Sequence, residues 1–207
     1  YLFASMYFKD FKPTFGDLIL LSITLIATIV IVDIFQFISN LVHEGASQIP
    51  LDAFNFVIPI FASCMLIALL LNFEIAFVFA IIVSIILGLA SEYSTILSGR
   101  GIYYSFYCFC GSLVAIKGTY KSDQRISIFK AGLILGLFNT TIVIILTFLE
   151  SKLFLIGTVT DYLYPMAMAF CSGILSAIIV LGITPFVELF GYTTDIKLLE
   201  LANTDNP

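Results

Sequence analysis

Long apolar runs, each closed by a short polar cluster, organise this chain. A helix rises 1.5 Å per residue and needs about 20 residues to cross a hydrocarbon core. Six runs reach or approach that length: 18–42, 53–71, 73–90, 102–116, 129–149 and 164–190. The fourth is the shortest and qualifies only when its Tyr/Phe-rich start is counted. Asn72 alone separates the second run from the third, and Glu74 follows at once. That spacing predicts a tight helical hairpin rather than one helix of twice the usual length. The pattern as a whole predicts an all-α, polytopic transmembrane bundle of about six complete spans, with YLFASMYF as the end of a preceding one. The expected division is 1–17 for that helix end and a cytoplasmic connection, 18–190 for the bundle, and 191–207 for a cytoplasmic linker. Tyr1 in place of Met, and a polar stretch still running at Pro207, are read as marks of a piece of a longer protein.

Composition agrees with the runs. The chain is 60% hydrophobic and 11% charged, with a mean hydropathy of +1.11, where a soluble domain carries about 25% charged residues. A net charge of −5 without a basic face argues against nucleic acid as a partner. Cytoplasmic loops hold an excess of Lys and Arg. If the first connection is inside, Lys9, Lys12, Lys117, Lys121, Arg125, Lys130 and Lys197 are inside and only Arg100 and Lys152 are outside. Both ends of the bundle are therefore expected in the cytoplasm. Tyr103, Tyr104, Phe106 and Tyr107, and later Tyr162 and Tyr164, fall at outer boundaries, where aromatic belts form. The cysteines, Cys64, Cys108, Cys110 and Cys171, lie in apolar runs and read as small hydrophobes. Cys108 and Cys110 do not face one another on a helix, which argues against a metal pair.

Few residues offer chemistry. Asp33, Gln36 and Asn40 share one face of the first run. A charge at the bilayer centre costs at least about 2.5–3.5 kcal/mol. The trio therefore suits a proton or ligand site facing the bundle interior, or interhelical hydrogen bonding, which is the commoner use. His43 and Glu44 are expected in a solvated outer loop. Glu74 favours the dipole at a helix start. Gly132 with Gly136 forms a GxxxG pair, and Ala169, Gly173 and Ala177 repeat at intervals of four, a pattern that lets helix backbones approach. Asn139, Thr140 and Thr141 can hydrogen-bond across an interface. Pro59 is expected to kink the second helix, and Pro185, beside Gly182, the last. Ser98-Gly99-Arg100-Gly101 reads as a short outer turn. No phosphate-cradling loop, zinc-protease motif, nucleophile elbow or His-Asp pair occurs, so catalytic, cofactor and metal residues are expected to be absent from the chain.

After Gly191 the segment TTDIKLLELA reads as a short helix, capped by Thr193 or Thr194 with Asp195 in its first turn. Ile196 pairs with Leu199, and Leu198 with Leu201, on apolar faces that call for a partner. Pro185, Glu188, Leu189-Phe190-Gly191, Thr193-Thr194-Asp195 and Leu198-Leu199-Glu200-Leu201 together resemble the membrane region of the seven-transmembrane HD receptor family, the bacterial PgpH-type cyclic di-AMP phosphodiesterases. FKAGLILGLFNTT at 129–141 and the stretch 111–116 are similar more weakly.

The resemblance implies a sensory domain outside the cell ahead of this region and a cytosolic HD phosphohydrolase after it. Such a hydrolase binds a divalent metal pair through His and Asp ligands, none of which is expected here, and cleaves cyclic di-AMP. In that setting Gly182 and Pro185 supply a bend and Thr193–Leu201 the connecting lever, with Glu188, Thr194 and Asp195 as further coupling residues, for passing an outside signal inward; a plain anchor fits the residues equally. The expected partners are the lipid bilayer and those two covalently attached domains, in a bacterial cell membrane. A substrate-binding membrane subunit of a small-molecule transporter, with Asp33 near the midplane, is the rival reading. A purely structural scaffold is a third.

Overall fold

The computed structural model describes residues 15–45, 51–94, 100–120, 122, 124–149 and 159–189. Every described element is helical. In chain order these are α1 (Phe15–Gly45), a 3-10 helix (Leu51–Phe56), α2 (Phe61–Leu70), α3 (Phe73–Ser94), α4 (Arg100–Thr119), α5 (Arg125–Leu149) and α6 (Val159–Leu189). Among the described residues, five segments are long and apolar enough to cross a membrane: Phe15–Gly45, Ala53–Leu70, Phe73–Ala90, Arg125–Thr147 and Leu163–Val187. α4 has the length, about 30 Å at 1.5 Å per residue, but breaks its apolar run with Gly, Ser and Tyr. It packs against α2, α3 and α5, so protein rather than lipid meets much of that mixed surface. Tyr107 and Ser112 on it are buried.

The core is built around the shortest α-helix. α2 touches α1, α3, α4 and α6, and Phe61, Cys64, Met65 and Ile67 on it are completely enclosed. The turn from α2 into α3 is as tight as the lone Asn72 requires. Leu71 N–H donates to the Ile67 carbonyl at 2.9 Å, and Ala76 N–H donates to the Asn72 carbonyl at 3.1 Å. Glu74 lies in the first turn of α3, exposed.

α5 and α6 form the closest helix pair, and small residues explain why. A Cβ on Gly132 would overlap the Ala177 methyl, one on Gly136 would lie 2.6 Å from the Phe170 carbonyl oxygen, and one on Gly173 would overlap the Gly136 backbone. The two small-residue stripes therefore face each other, with Ala169 and Ala177 buried in the same seam. Thr140 adds a link across it, its hydroxyl within 3.3 Å of the Met166 carbonyl and 2.9 Å of the Gly136 carbonyl on its own helix.

α1 is attached differently. It meets only the 3-10 helix and α2 to any extent, and buries the stripe Leu20, Thr24, Thr28, Val32 and Ser39. Its other faces present Ile23, Ile26, Val30, Ile34 and Phe37 outward. His43 and Glu44, expected in a loop, belong to its last turn, because the helix continues to Gly45.

Candidate functional site: a broken helix clasped by hydroxyls

The second apolar run does not kink at Pro59; it breaks. Residues 57–60 are neither α nor 3-10, and divide six residues of 3-10 helix from ten of α-helix. Proline cannot donate to the preceding turn and its ring clashes there. Irregular backbone at membrane depth is tolerated only where protein or water meets its polar groups. Here protein does so. Ile58, Pro59 and Ile60 are buried.

The freed carbonyls are held from two other helices. On α4, Tyr104 donates its hydroxyl to the Asn55 carbonyl and Tyr107 donates to the Phe56 carbonyl, each at 3.2 Å. On α6, Ser172 donates to the Ile58 carbonyl at 2.9 Å. Within the segment itself, Ile60 N–H reaches the Ile58 carbonyl at 2.9 Å, and Ser63 donates to Ile60 at 2.8 Å. Aromatic rings complete the clasp. Phe56 and Phe61 flank Tyr107 edge-on at 5.1 and 5.6 Å between centroids, and Tyr104 stacks on Tyr107 at 6.1 Å. Gly111 admits Phe61, since any Cβ there would collide with the ring.

This geometry corrects the belt assignment. Tyr107 is wholly buried and Tyr104 half-buried around the break, while Phe106 alone of that group is strongly exposed. A ring that faces the interior and one that faces headgroups carry the same sequence signal, so composition could not separate them. The clue was spacing: Tyr104 and Tyr107, three apart, share a face.

One buried polar side chain in this region has no partner. Asn139 on α5 is fully enclosed, with both amide atoms unpaired, and its Oδ1 lies 2.8 Å from where a Gly111 Cβ would stand. Of the Asn139-Thr140-Thr141 triplet, only Thr140 reaches across an interface; Thr141 bonds back to Leu137 within α5. Nearby, the Cys64 thiol points at the Ser112 hydroxyl at 3.5 Å. Cys108 is buried and Cys110 half-buried.

The other residues singled out in the sequence lie apart from this site. Asp33, Gln36 and Asn40 do share a face of α1, but it is the exposed face, so they do not point into the bundle as a proton or ligand site requires. The buried stripe of α1 runs along its other side through Thr24 and Thr28. α6 continues through Pro185 to Leu189, and on its buried side the Thr184 hydroxyl donates to the Val180 carbonyl at 2.7 Å. Gly182 is exposed with nothing near its missing Cβ. Glu188 falls within α6; Thr194 and Asp195 lie outside the described residues, as do 1–14. Among the described residues no three His, Cys, Asp or Glu side chains come together, and the chain has one histidine.

Known proteins agree with this architecture. A family model described as a 7TM receptor with intracellular HD hydrolase matches residues 1–194. The cyclic-di-AMP phosphodiesterase PgpH of Bacillus subtilis (strain 168) is 28% identical over 163 residues, which cover 74% of this chain and 21% of that protein. The chain thus spans about a fifth of the length of that relative. No solved structure matches. With its several apolar helices and a family match over nearly its whole length, the chain belongs to the 7TM receptors with intracellular HD hydrolase.

Proposed function

We propose that this chain is the membrane region through which a domain outside the cell acts on a cytosolic hydrolase of cyclic di-AMP within one polypeptide. The family match over residues 1–194 carries this reading, and the relative's name supplies the substrate. α4 acts as the sixth crossing, so the two ends of the chain emerge on one side. The excess of seven Lys and Arg over two supports the reading that this side is the cytoplasm of a bacterial cell, next to the hydrolase.

Relay needs two states of the bundle that an outside signal stabilises unequally. The break at Pro59 supplies two short helical pieces joined by irregular backbone, and the Tyr104, Tyr107 and Ser172 hydroxyls define one arrangement of them. Ser172 lies on α6, the helix that carries Gly182, Pro185 and Glu188 towards Thr194 and Asp195. Motion at the break therefore has a direct route to the chain's cytoplasmic end. Discontinuous helices also build substrate sites in transporters. Here the carbonyls are taken by hydroxyls, and no charged side chain lines the small crevice that lies between α1 and the break, so that rival gains nothing from it.

Cyclic di-AMP hydrolysis by the full-length protein in membrane vesicles tests the relay. Tyr107→Phe with Ser172→Ala, and separately Pro185→Ala, are expected to shift the rate per mole of protein while the isolated hydrolase domain keeps its own. Rates equal to wild type in both variants would reduce the bundle to an anchor. A phosphatase reporter fused after Asn206 that works only outside the cell would overturn the topology.

A further inference from the structure

A crevice of about 50 Å³ separates α1 from α2 and α6. Its walls include Thr24, Ala27 and Thr28 of α1, Ser63 and Leu66 of α2, and Ile183 of α6, and its floor reaches Pro59 at the break. The mouth is open to the outside of the bundle, since Ala27 and Ile183 are exposed. The floor is closed, since Pro59 and Thr28 are buried.

Three observations identify what fills it. The first is polarity. The hydroxyls on the walls are committed: Thr24 donates to Leu20 at 2.8 Å, Thr28 to Thr24 at 2.7 Å and Ser63 to Ile60 at 2.8 Å. A buried water needs two to four polar partners, and one water needs only roughly 10–15 Å³ on this measure. The space is too large for a packing flaw and too apolar for water. The second is depth. The wall residues of α1 lie near the middle of a 31-residue spanning helix, at the level of lipid tails rather than headgroups. The third is continuity. Ile23, Ile26 and Val30 of α1, and Ile178, Ile183 and Phe186 of α6, are exposed on either side of the mouth. The crevice thus opens from the surface that meets hydrocarbon.

We propose that this crevice is a binding site for one hydrocarbon chain of a bilayer lipid, inserted between α1 and α6 as far as the break. Lipid tails are as apolar as Leu, so transfer from the bilayer brings no hydrophobic gain. Affinity comes from dispersion contacts along the walls, which an empty crevice forfeits. A seated chain also replaces the contacts that α1 lacks on this side, which makes lipid part of the attachment of α1. The site borders the break, but it does not rest on the relay and is read by occupancy rather than hydrolysis.

The test uses the full-length protein in phospholipid vesicles doped with a phospholipid bearing a diazirine midway along one acyl chain. After photolysis, adducts are mapped by mass spectrometry. Adducts are expected on Thr28 and Leu66, both buried, as well as on Leu137, which faces outward on α5. Ala27→Phe at the mouth is expected to abolish the Thr28 and Leu66 adducts and spare Leu137. Ile183→Ala is expected to increase them. Both positions are exposed, and an unchanged Leu137 adduct shows that the variants are folded. Absence of adducts at Thr28 and Leu66 in the wild type, or adducts there indifferent to both substitutions, would overturn the proposal. Adducts that appear only when the protein is diluted in lipid would assign the crevice to a second copy, and equally overturn it.

Discussion

The α5–α6 seam and the junction of α1 with the broken segment are both contacts between membrane helices, yet they are made in opposite ways. In the seam, glycines remove side chains until backbone meets backbone, and Gly132, Gly136 and Gly173 leave no room for a methyl group. At the junction, a crevice remains between α1 and Pro59. The seam is a continuous pair of long helices. The junction rests on ten residues of α-helix whose upstream carbonyls depend on hydroxyls from elsewhere. Association in lipid relies on packing and hydrogen bonds, because water is not there to drive apolar faces together. Close packing therefore makes the seam the half expected to resist change, and borrowed hydrogen bonds make the junction the half expected to yield first.

The largest expected effect comes from opening the seam. Gly173→Val puts two methyl groups into the Gly132 and Gly136 backbone, which cannot rotate away as a side chain would. Overpacking a tight contact costs about 1–3 kcal/mol and occasionally more, and this site belongs at or above the top of that range. Denaturant titration of the purified protein in mixed micelles, followed by circular dichroism, measures it. A cost below about 1 kcal/mol would mean that the seam yields easily, and the contrast between the halves would be lost.

Tyr107→Phe acts on the other half and should cost less, about 1 kcal/mol, in line with hydrogen bonds between membrane helices. The ring keeps its contacts with Phe56 and Phe61, while the hydroxyl's bond to the Phe56 carbonyl and its contact with Ser172 go. The sharper readout is hydrogen exchange at residues 57–61, which should quicken while α5 and α6 stay protected. Equal change in both places would show one rigid bundle instead of two unlike halves.

Asn139→Leu tests a residue lying between these regions. Its amide is buried without a partner beside Gly111, and an unpaired buried polar group costs about 1–3 kcal/mol against a solvated reference. In lipid the unfolded helix also lacks water, so the expected gain from leucine, which has a similar shape, is near 1 kcal/mol. Increased stability together with an altered hydrolysis rate in the full-length protein would mark Asn139 as a residue kept for motion rather than for folding. Reduced stability would show that the amide is paired after all.

How much of this was legible in the sequence follows from what hydrophobicity can and cannot say in a bilayer. The helices themselves, the hairpin at Asn72 and the facing small-residue stripes follow from run length and residue size. Direction does not. Asp33, Gln36 and Asn40 do share a face, but periodicity cannot tell which way that face turns when lipid and protein interior are equally apolar. Thr24 and Thr28 are buried and the isoleucines beside them exposed, the reverse of a soluble helix, because a threonine hydroxyl satisfies itself on the preceding turn. The two prolines diverge for a similar reason. Pro59 breaks its helix where Tyr104, Tyr107 and Ser172 wait to receive the carbonyls, and Pro185 leaves α6 continuous. Local sequence shows both prolines and not their distant partners. α4 was the weakest run on hydropathy because protein surrounds much of it.

The smallest effect is also a gain, and it brings the comparison onto one helix. Gly182 lies nine residues beyond Gly173 on α6, exposed, with nothing within 4 Å of the Cβ it lacks. Alanine there meets no obstacle and removes the backbone freedom of glycine, which is worth about 0.5–1 kcal/mol within a helix. Gly182→Ala should therefore stabilise the protein slightly in the same titration that shows Gly173→Val to be damaging. If glycine is retained there so that α6 can bend ahead of Pro185, the more stable variant will carry a changed hydrolysis rate in membranes and an unchanged one in the isolated hydrolase domain. A stabilised variant with the wild-type rate would leave Gly182 out of the relay and place any bend at Pro185 alone.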